Sequence, residues 1–469
     1  MERSHIGSLN EKNIGKKVVI KGWVDTIRAH GKLIFIDVRD VSGFMQSVIS
    51  AKKNKEAFDS AKKASKECCI EIHGKIGLRP KGTENKDIAT GKIEMQIEKF
   101  EILNSCPPLP FEFDTKETNE EIRLKYRFLD LRRKQMQRNL LTRAKMIRVI
   151  RENMHSLGFN EFETPMLVKY TPGGARNFLV PSRLEAGKFW ALPESPQLFK
   201  QLLMVAGFEK YFQIARCLRD EDLRKDRQPE FTQLDIEMSF INQEDIFRVV
   251  EGILKKIWKE VLDIDIKTPF LRMTYEEAMK RYNSDKPDLR KDKNNPNEYA
   301  FLWIVDFPLF QYSKEENKHM ANHHPFTSPN MEDFKKNPEK AKSIAYDIVL
   351  NGVEIGGGSI RIHNQEVQQK VFEILQISRE EQEKRFKFFL DALKFGAPPH
   401  GGIALGLDRL IQIILNTESI RESIAFPKNS EGREMMLNAP SEITEQQLKD
   451  MHIKIDMPEK KKEKSSKKK

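Results

Sequence analysis

Cysteine is scarce in this chain. The 469 residues hold only Cys68, Cys69, Cys106 and Cys217. Two are adjacent and none forms a CxxC pair, so neither a disulfide framework nor a zinc motif is encoded. Small buried thiols in a reducing cytosol fit this usage better. Long apolar runs are missing too: none reaches the roughly 18 residues a membrane-spanning helix needs. The first fifteen residues have no apolar h-region and no Arg/Ser-rich amphipathic stretch, so no leader is expected and the predicted location is cytoplasmic. No segment fits a P-loop or a GxGxxG fingerprint, which disfavours the commonest nucleotide folds. No repeat of solenoid period occurs either.

Charge, by contrast, is plentiful. Charged residues make up 32% against 39% hydrophobic, an ordinary soluble balance, and the net charge is +11. The terminal stretch Glu459–Lys469 carries much of that excess, and its lysines read as a solvated, disordered tail. Such a tail can still attract a polyanion through salt-sensitive forces.

The first hundred residues alternate with period two between glycine-punctuated turns. Strands are predicted at 18–24, 33–39, 44–50, 69–78 and 93–103, with a Lys/Ala-rich helix at 52–66 between the third and fourth. Five strands with a helix in that place are the plan of an OB barrel, a fold that commonly binds single-stranded nucleic acid. The Cys106-Pro-Pro-Leu-Pro110 run then breaks regular structure. Apolar spacing predicts a helix over 140–157, with Gly158 placed as its C-cap. Strands and helices mix for more than 250 residues beyond it. The predicted organisation is an OB-fold domain at 1–104, a hinge at 105–135, a catalytic domain at 136–455 and a Lys-rich tail at 456–469.

Three clusters carry chemistry. The densest runs from Arg216 to Phe231 and on to Asp235 and Glu237, between two alternating segments. A strand, a charged loop and an antiparallel strand would bring Arg219 and Glu221 to one sheet end, where a guanidinium fork suits phosphate oxygens. The alternative is a solvated surface loop, against which stand the apolar faces of the flanking strands. Second is Asn351–Arg361, which contains three successive glycines and follows Asp347. Its glycines permit close backbone approach, and Asp347 with Glu354 could share one Mg²⁺ on a triphosphate; alone, such a triplet more often marks a bulge. Third is Gly401–Arg409, a glycine-rich strand running into a helix with an early arginine, a useful phosphate cradle.

The first and third clusters, with the segment 158–165 ahead of them, resemble the three motifs of class II aminoacyl-tRNA synthetases: motif 1 at 158–165, motif 2 at 212–237 and motif 3 at 401–409. The finer similarity is to bacterial-type aspartyl-tRNA synthetases, carried by Tyr126–Arg133, Ser195–Gln201, Arg219–Gln233 and His323–Thr327. It covers nearly the whole chain to Ile455, leaving out the lysine tail. The fold it implies is α+β, an OB barrel followed by an antiparallel sheet flanked by helices, with motif 1 forming a homodimer interface. The implied reaction is ATP-dependent activation of L-aspartate followed by transfer to the 3′ end of tRNA-Asp. The implied ATP site comprises Arg219, Asp220, Glu221, Gln228, Phe231, Glu354, Gly406, Leu407, Asp408 and Arg409, with Arg219 and Arg409 catalytic. Asp347 and Glu354 correspond to Mg²⁺ ligands, and no zinc is implied. The aspartate site would use Gly173, Gln197, Lys200, Arg219, Asp235, His323 (or its neighbour His324) and Arg361. Gly173 departs from the many bacterial members that carry glutamate there, and cannot supply that contact to the ammonium.

In the barrel, Arg28, Phe35, Gln46 and Glu94 resemble the family's anticodon readers; Phe35 could equally be barrel core. His30 and Gly82 resemble the pair found in relatives that charge both tRNA-Asp and tRNA-Asn, so tRNA-Asn is expected as a second substrate, with strict tRNA-Asp specificity as the alternative. Most relatives insert a domain after a segment like Ser284–Arg290, whereas this chain passes through a short Lys/Asn-rich bridge at 286–300. Asparaginyl- and lysyl-tRNA synthetases are the rivals within the class, and an inactive RNA-binding paralogue is the rival outside it. Intact Arg219, Glu354 and Arg409 argue against the last.

Overall fold

The computed structural model describes residues 2–113, 118–170 and 176–457, so Gly173 and the lysines beyond 457 lie outside the described residues. The chain divides into two compact units, Met1–Glu112 and Phe113–Lys469. The first is a closed five-stranded barrel of β1 (Lys17–His30), β2 (Leu33–Asp40), β3 (Gly43–Ser50), β4 (Cys69–Leu78) and β5 (Ile93–Asn104), in the order β1-β2-β3-β5-β4. Helix α1 (Lys55–Ala61) lies between β3 and β4 in sequence, shorter than the 52–66 expected. Asn54 caps its start by accepting from the Ala57 amide. Alternation decides each strand's inner face: Ile34, Ile36 and Val38 of β2 enter the core, which leaves Phe35 and Asp37 facing outward, half-buried.

In the second unit, helix α2 (Lys134–Ser156) begins well before residue 140, where the apolar spacing suggests its start. Gly158 ends it at φ +78°, with the Phe159 amide donating back to the Met154 carbonyl. The main sheet then forms from β6 (Asn160–Glu161), β7 (Lys210–Leu218), β8 (Glu230–Ser239), β9 (Leu271–Thr274), β10 (Phe301–Val305), β11 (Ala345–Leu350), β12 (Val353–Ile360) and β13 (His400–Gly406). Their order is β9-β10-β11-β12-β13-β8-β7-β6. The expected antiparallel sheet is modified at its two edges, where β9–β10 and β6–β7 are parallel pairs. Both need crossover connections, and the first runs through a helix at Tyr275–Tyr282 and the 283–300 bridge.

The sheet is covered by α2 and by helices α3 (Gln197–Val205), α4 (Gln243–Ile257) and α5 (Leu407–Leu415). Its largest apolar cluster joins α2, α4 and α5 to the sheet through residues such as Ile150, Phe247, Trp303, Tyr346 and Ile411. The Tyr126–Arg133 segment is scaffolding. Buried Arg127 donates to the carbonyls of Arg421, Ile424 and Ala425 and pairs with Asp130. No helix among the described residues is long and apolar enough to cross a membrane.

Candidate active site

The three charged clusters converge on one cavity of about 790 Å³, lined by β8, β12, β13 and the loops at their ends. Along β8, Gln233, Asp235 and Glu237 share one face, because side chains two apart on a strand point the same way. The first two line the cavity, and Glu237 stands just beneath it.

Near the start of β8, the Arg219 guanidinium sits 5.0 Å from the Phe231 ring centroid, and its buried Nε has no protein partner. Glu221 pairs with Arg227 at 3.3 Å. Gln228 exchanges two hydrogen bonds with the Lys428 backbone and is thereby fixed at the wall. Arg409, in the first turn of α5, donates to the Glu354 carbonyl at 2.5 Å and meets Asp226 at 3.4 Å. Gly406 also lines this end.

Two expected nucleotide residues stand elsewhere. Leu407 is fully buried in the apolar cluster, because a helix facing the sheet turns that position inward. Asp220 lies outside the cavity lining and bridges to Arg176, with 3.8 Å between their charged groups. Asp408 does reach the cavity wall, yet its carboxylate is engaged by Arg143 and by the Thr232 amide at 2.7 Å. It ties α5 to α2 and β8.

At the deeper end, Lys200 pairs with Asp235 at 2.9 Å and Glu237 at 3.5 Å. Arg361 holds Glu237 through Nε at 2.9 Å and Nη2 at 3.2 Å. Burial alone would raise the Glu237 carboxyl, but Arg361 and Lys200 outweigh it and keep the group below the usual carboxylate range. The Oδ2 atom of Asp235 and the Nε2 atom of Gln197 are buried without a partner. An orphaned acceptor and an orphaned donor on a cavity wall imply a ligand with its own polar groups. Glu237 is the residue the sequence reading left unassigned. Its position two residues after Asp235 on one strand was the available signal.

The histidines separate. His323 contacts Asp347 at 3.3 Å, and although burial opposes its charge, Asp347 and Glu354 raise its pKa overall. His324 lies on the other side: burial first, then Arg361 and Lys200, lower its pKa to about 3. The Phe326 amide donates to its Nδ1, as a neutral ring allows.

Asp347 and Glu354 lie on adjacent antiparallel strands around a bulge at Ile348/Val349. Burial raises the Glu354 carboxyl, and the nearby Asp347 charge raises it further. Two crowded acids of this kind suit a hard cation that has other ligands of its own. The glycines make the arrangement possible: a Cβ on Gly357 would fall 2.4 Å from Asp347 Oδ1, and one on Gly402 would fall 2.0 Å from Glu237 Oε2. No group of three or more metal-ligating side chains occurs among the described residues.

A second polar face occupies the barrel. Arg28 and Phe35 are cross-strand partners on β1 and β2, as are Asp37 and Gln46 on β2 and β3. Arg28 pairs with Asp37 at 2.8 Å, and Gln46 donates to Glu94 at 3.1 Å. His30 packs edge-on against Phe35, with centroids 6.2 Å apart. Gly82 occupies a turn at φ +88°, a conformation side chains disfavour.

This sheet, its paired acids and its three arginine- and glycine-bearing clusters define a class II synthetase core. Residues 119–430 match the family described as tRNA synthetases class II (D, K and N), and the chain belongs to it. Residues 18–103 match the OB-fold nucleic acid binding domain. The chain is 45% identical to the aspartate–tRNA(Asp/Asn) ligase of Dictyoglomus turgidum, over 99% of this chain and 100% of the relative. It is 42% identical to the protein of that name from a Hydrogenobaculum species, over 96% and 99%. The first alignment runs over 590 positions against 469 residues here, so that relative carries over a hundred residues with no counterpart. Among solved structures, asparaginyl-tRNA synthetase of Pyrococcus horikoshii with asparaginyl-adenylate superposes with a TM-score of 0.75 at 24% identity, covering 91% of this chain and 98% of that one. Aspartyl-tRNA synthetase of Entamoeba histolytica gives 0.74 at 22%, covering 92% of each. At such identities these neighbours speak for the fold alone.

Proposed function

We propose that this chain is an aspartate–tRNA ligase that activates L-aspartate with ATP and loads it onto tRNA-Asp and tRNA-Asn. One observation carries the reading. A single cavity presents Arg219, Phe231 and Arg409 where a nucleotide would lie, and Lys200, Asp235 and Arg361 where a dicarboxylic amino acid would lie.

In this reading Phe231 stacks on adenine, with Glu221 and Gln228 at its edge, and Arg409 covers the opposite face. Arg219 holds the α-phosphate. Arg361 and Lys200 receive the aspartate side-chain carboxylate, while the orphaned Asp235 oxygen and Gln197 face the ammonium. Arg361 and Lys200 act on His324 while His323 contacts Asp347, so of the two histidines expected at the aspartate site His324 is the one favoured here. Asp347 and Glu354 would hold Mg²⁺, which when bound supplies charge neutralisation on the phosphates. The α-carboxylate attacks the α-phosphorus and expels pyrophosphate. A ribose hydroxyl of the terminal adenosine then attacks the carbonyl of the adenylate and expels AMP. Arg219 contributes by positioning and by stabilising charge as it develops on phosphorus-bound oxygen.

Arg28, Phe35, Gln46 and Glu94 would read the anticodon, with Phe35 stacking on a splayed base. The side-chain-free turn at Gly82 and the exposed His30 favour relaxed reading of the third anticodon base. Exposed Leu157, Met166, Leu167 and Phe208 around motif 1 fit a homodimer contact, and a cytoplasmic enzyme agrees with this reading. Charging of purified tRNA-Asp and tRNA-Asn transcripts with radiolabelled aspartate tests the proposal. Product on both is expected; product on neither would overturn it, and product on tRNA-Asp alone would remove the relaxed specificity.

A further inference from the structure

His400 is a buried histidine with no part in either substrate site. It is fully enclosed at the first position of β13, opposite Ser239 of β8. Its Nδ1 lies 2.8 Å from the Pro398 carbonyl, which fixes the ring to its own chain. Its Nε2 lies 3.1 Å from the side-chain amide of Gln201, itself fully buried on α3. That amide reaches back to the Gln197 carbonyl at 3.4 Å, spanning the first turn of the helix. Neither His400 nor Gln201 lines the cavity.

What they hold does line it. Lys200 immediately precedes Gln201, and positions 197, 200 and 201 fall on one helix face because residues three and four apart are neighbours there. The main chain of His400 serves the other cation: its carbonyl accepts from the Arg361 amide at 2.9 Å. One residue therefore touches both supports, the backbone that carries Arg361 and the helix that carries Lys200. Glu237 joins the same two side chains at their charged ends, at 2.9 Å from Arg361 and 3.5 Å from Lys200. His400 joins them at their bases.

We propose that His400 and Gln201 are a positioning pair that sets the spacing between Lys200 and Arg361, and through it the preference for a side-chain carboxylate. The inference rests on the synthetase reading above, which gives those two cations the aspartate side chain. Two cations share one small carboxylate only at a fixed separation, and a misplacement of about 1 Å is enough to cost a site much of its effect. Arg219, Phe231 and Arg409 stand on other elements, so the nucleotide end does not depend on this link.

The test uses the full chain with Gln201→Met and, separately, His400→Asn. Methionine nearly conserves the volume of Gln201 without its amide. Asparagine keeps a donor for the Pro398 carbonyl and is too short to reach Gln201. In aspartate-dependent ATP–pyrophosphate exchange, the KM for aspartate should rise roughly tenfold in each variant while the KM for ATP stays unchanged. The preference for aspartate over asparagine in kcat/KM should fall by a similar factor. The two changes combined should cost no more than the worse one alone, since both remove the same contact. An unchanged aspartate KM in the folded variants would overturn the proposal. A parallel rise in both KM values, or variants that circular dichroism shows to be unfolded, would overturn it too, by reducing the pair to general support of the fold. Absence of exchange in the unmodified chain would instead sink the synthetase reading itself.

Discussion

Single side chains at the two ends of the cavity have different jobs, and substitution should separate them. Arg219 combines an aromatic platform with an unpaired buried Nε. Arg219→Ala is expected to slow aspartate-dependent exchange by about 100- to 1000-fold, the scale of losing a preorganised charge stabiliser. Steady-state exchange kinetics, with circular dichroism to check folding, measures this. His324 gives a pH signature. Its folded pKa is depressed to about 3 from an ordinary 6.5, so between those values the unfolded chain binds a proton that the folded chain refuses. Stability must therefore fall as pH drops from about 6.5 towards 3. Thermal melts across that range should show a shallower loss for His324→Gln than for the unmodified chain.

At the scale of strands and loops, glycine is what lets buried acids lie across the sheet. Gly402→Ala would push a methyl group against Glu237 and the Ile236 carbonyl, so a destabilisation of about 1–3 kcal/mol is expected, with a raised KM for aspartate. Chemical denaturation and exchange kinetics report the two effects. The glycine runs and the arginines around them were legible in the sequence because motif residues cluster along it. The strands of the barrel were legible for a different reason: alternation has a period of two and survives without tertiary information. Phe35 was ambiguous on those terms, and only the inward placement of Ile34 and Ile36 resolved it. The pairings of Glu237 and of Asp408 with Arg143 went unread because the partners lie far away in the chain. The pairing of Glu237 with Arg361 spans 124 positions, and that of Arg143 with Asp408 spans 265. No local pattern encodes such contacts. Leu407 misled in the opposite sense: it lies inside a motif, yet the helix turns it into the core.

Across the whole molecule, the barrel and the catalytic unit should fail independently. Phe35→Ala leaves the barrel core intact, since Phe35 faces outward on β2. It should weaken tRNA binding by roughly 1–3 kcal/mol while leaving exchange unaltered. Filter binding and exchange on the same preparation would show that split. The central claim is that the deeper end of the cavity selects a side-chain carboxylate. Arg361 and Lys200 stand there beside Glu237 and Asp235, and an amide substrate, being neutral, would bring no charge to the two cations. The most direct measurement is ATP–pyrophosphate exchange with aspartate, asparagine and lysine in turn, on the unmodified chain and on Arg361→Leu. The account predicts strong exchange with aspartate, little with the other two, and collapse of the aspartate signal in the variant. Exchange driven by asparagine or lysine in preference to aspartate, or an Arg361→Leu enzyme that still favours aspartate, would contradict it.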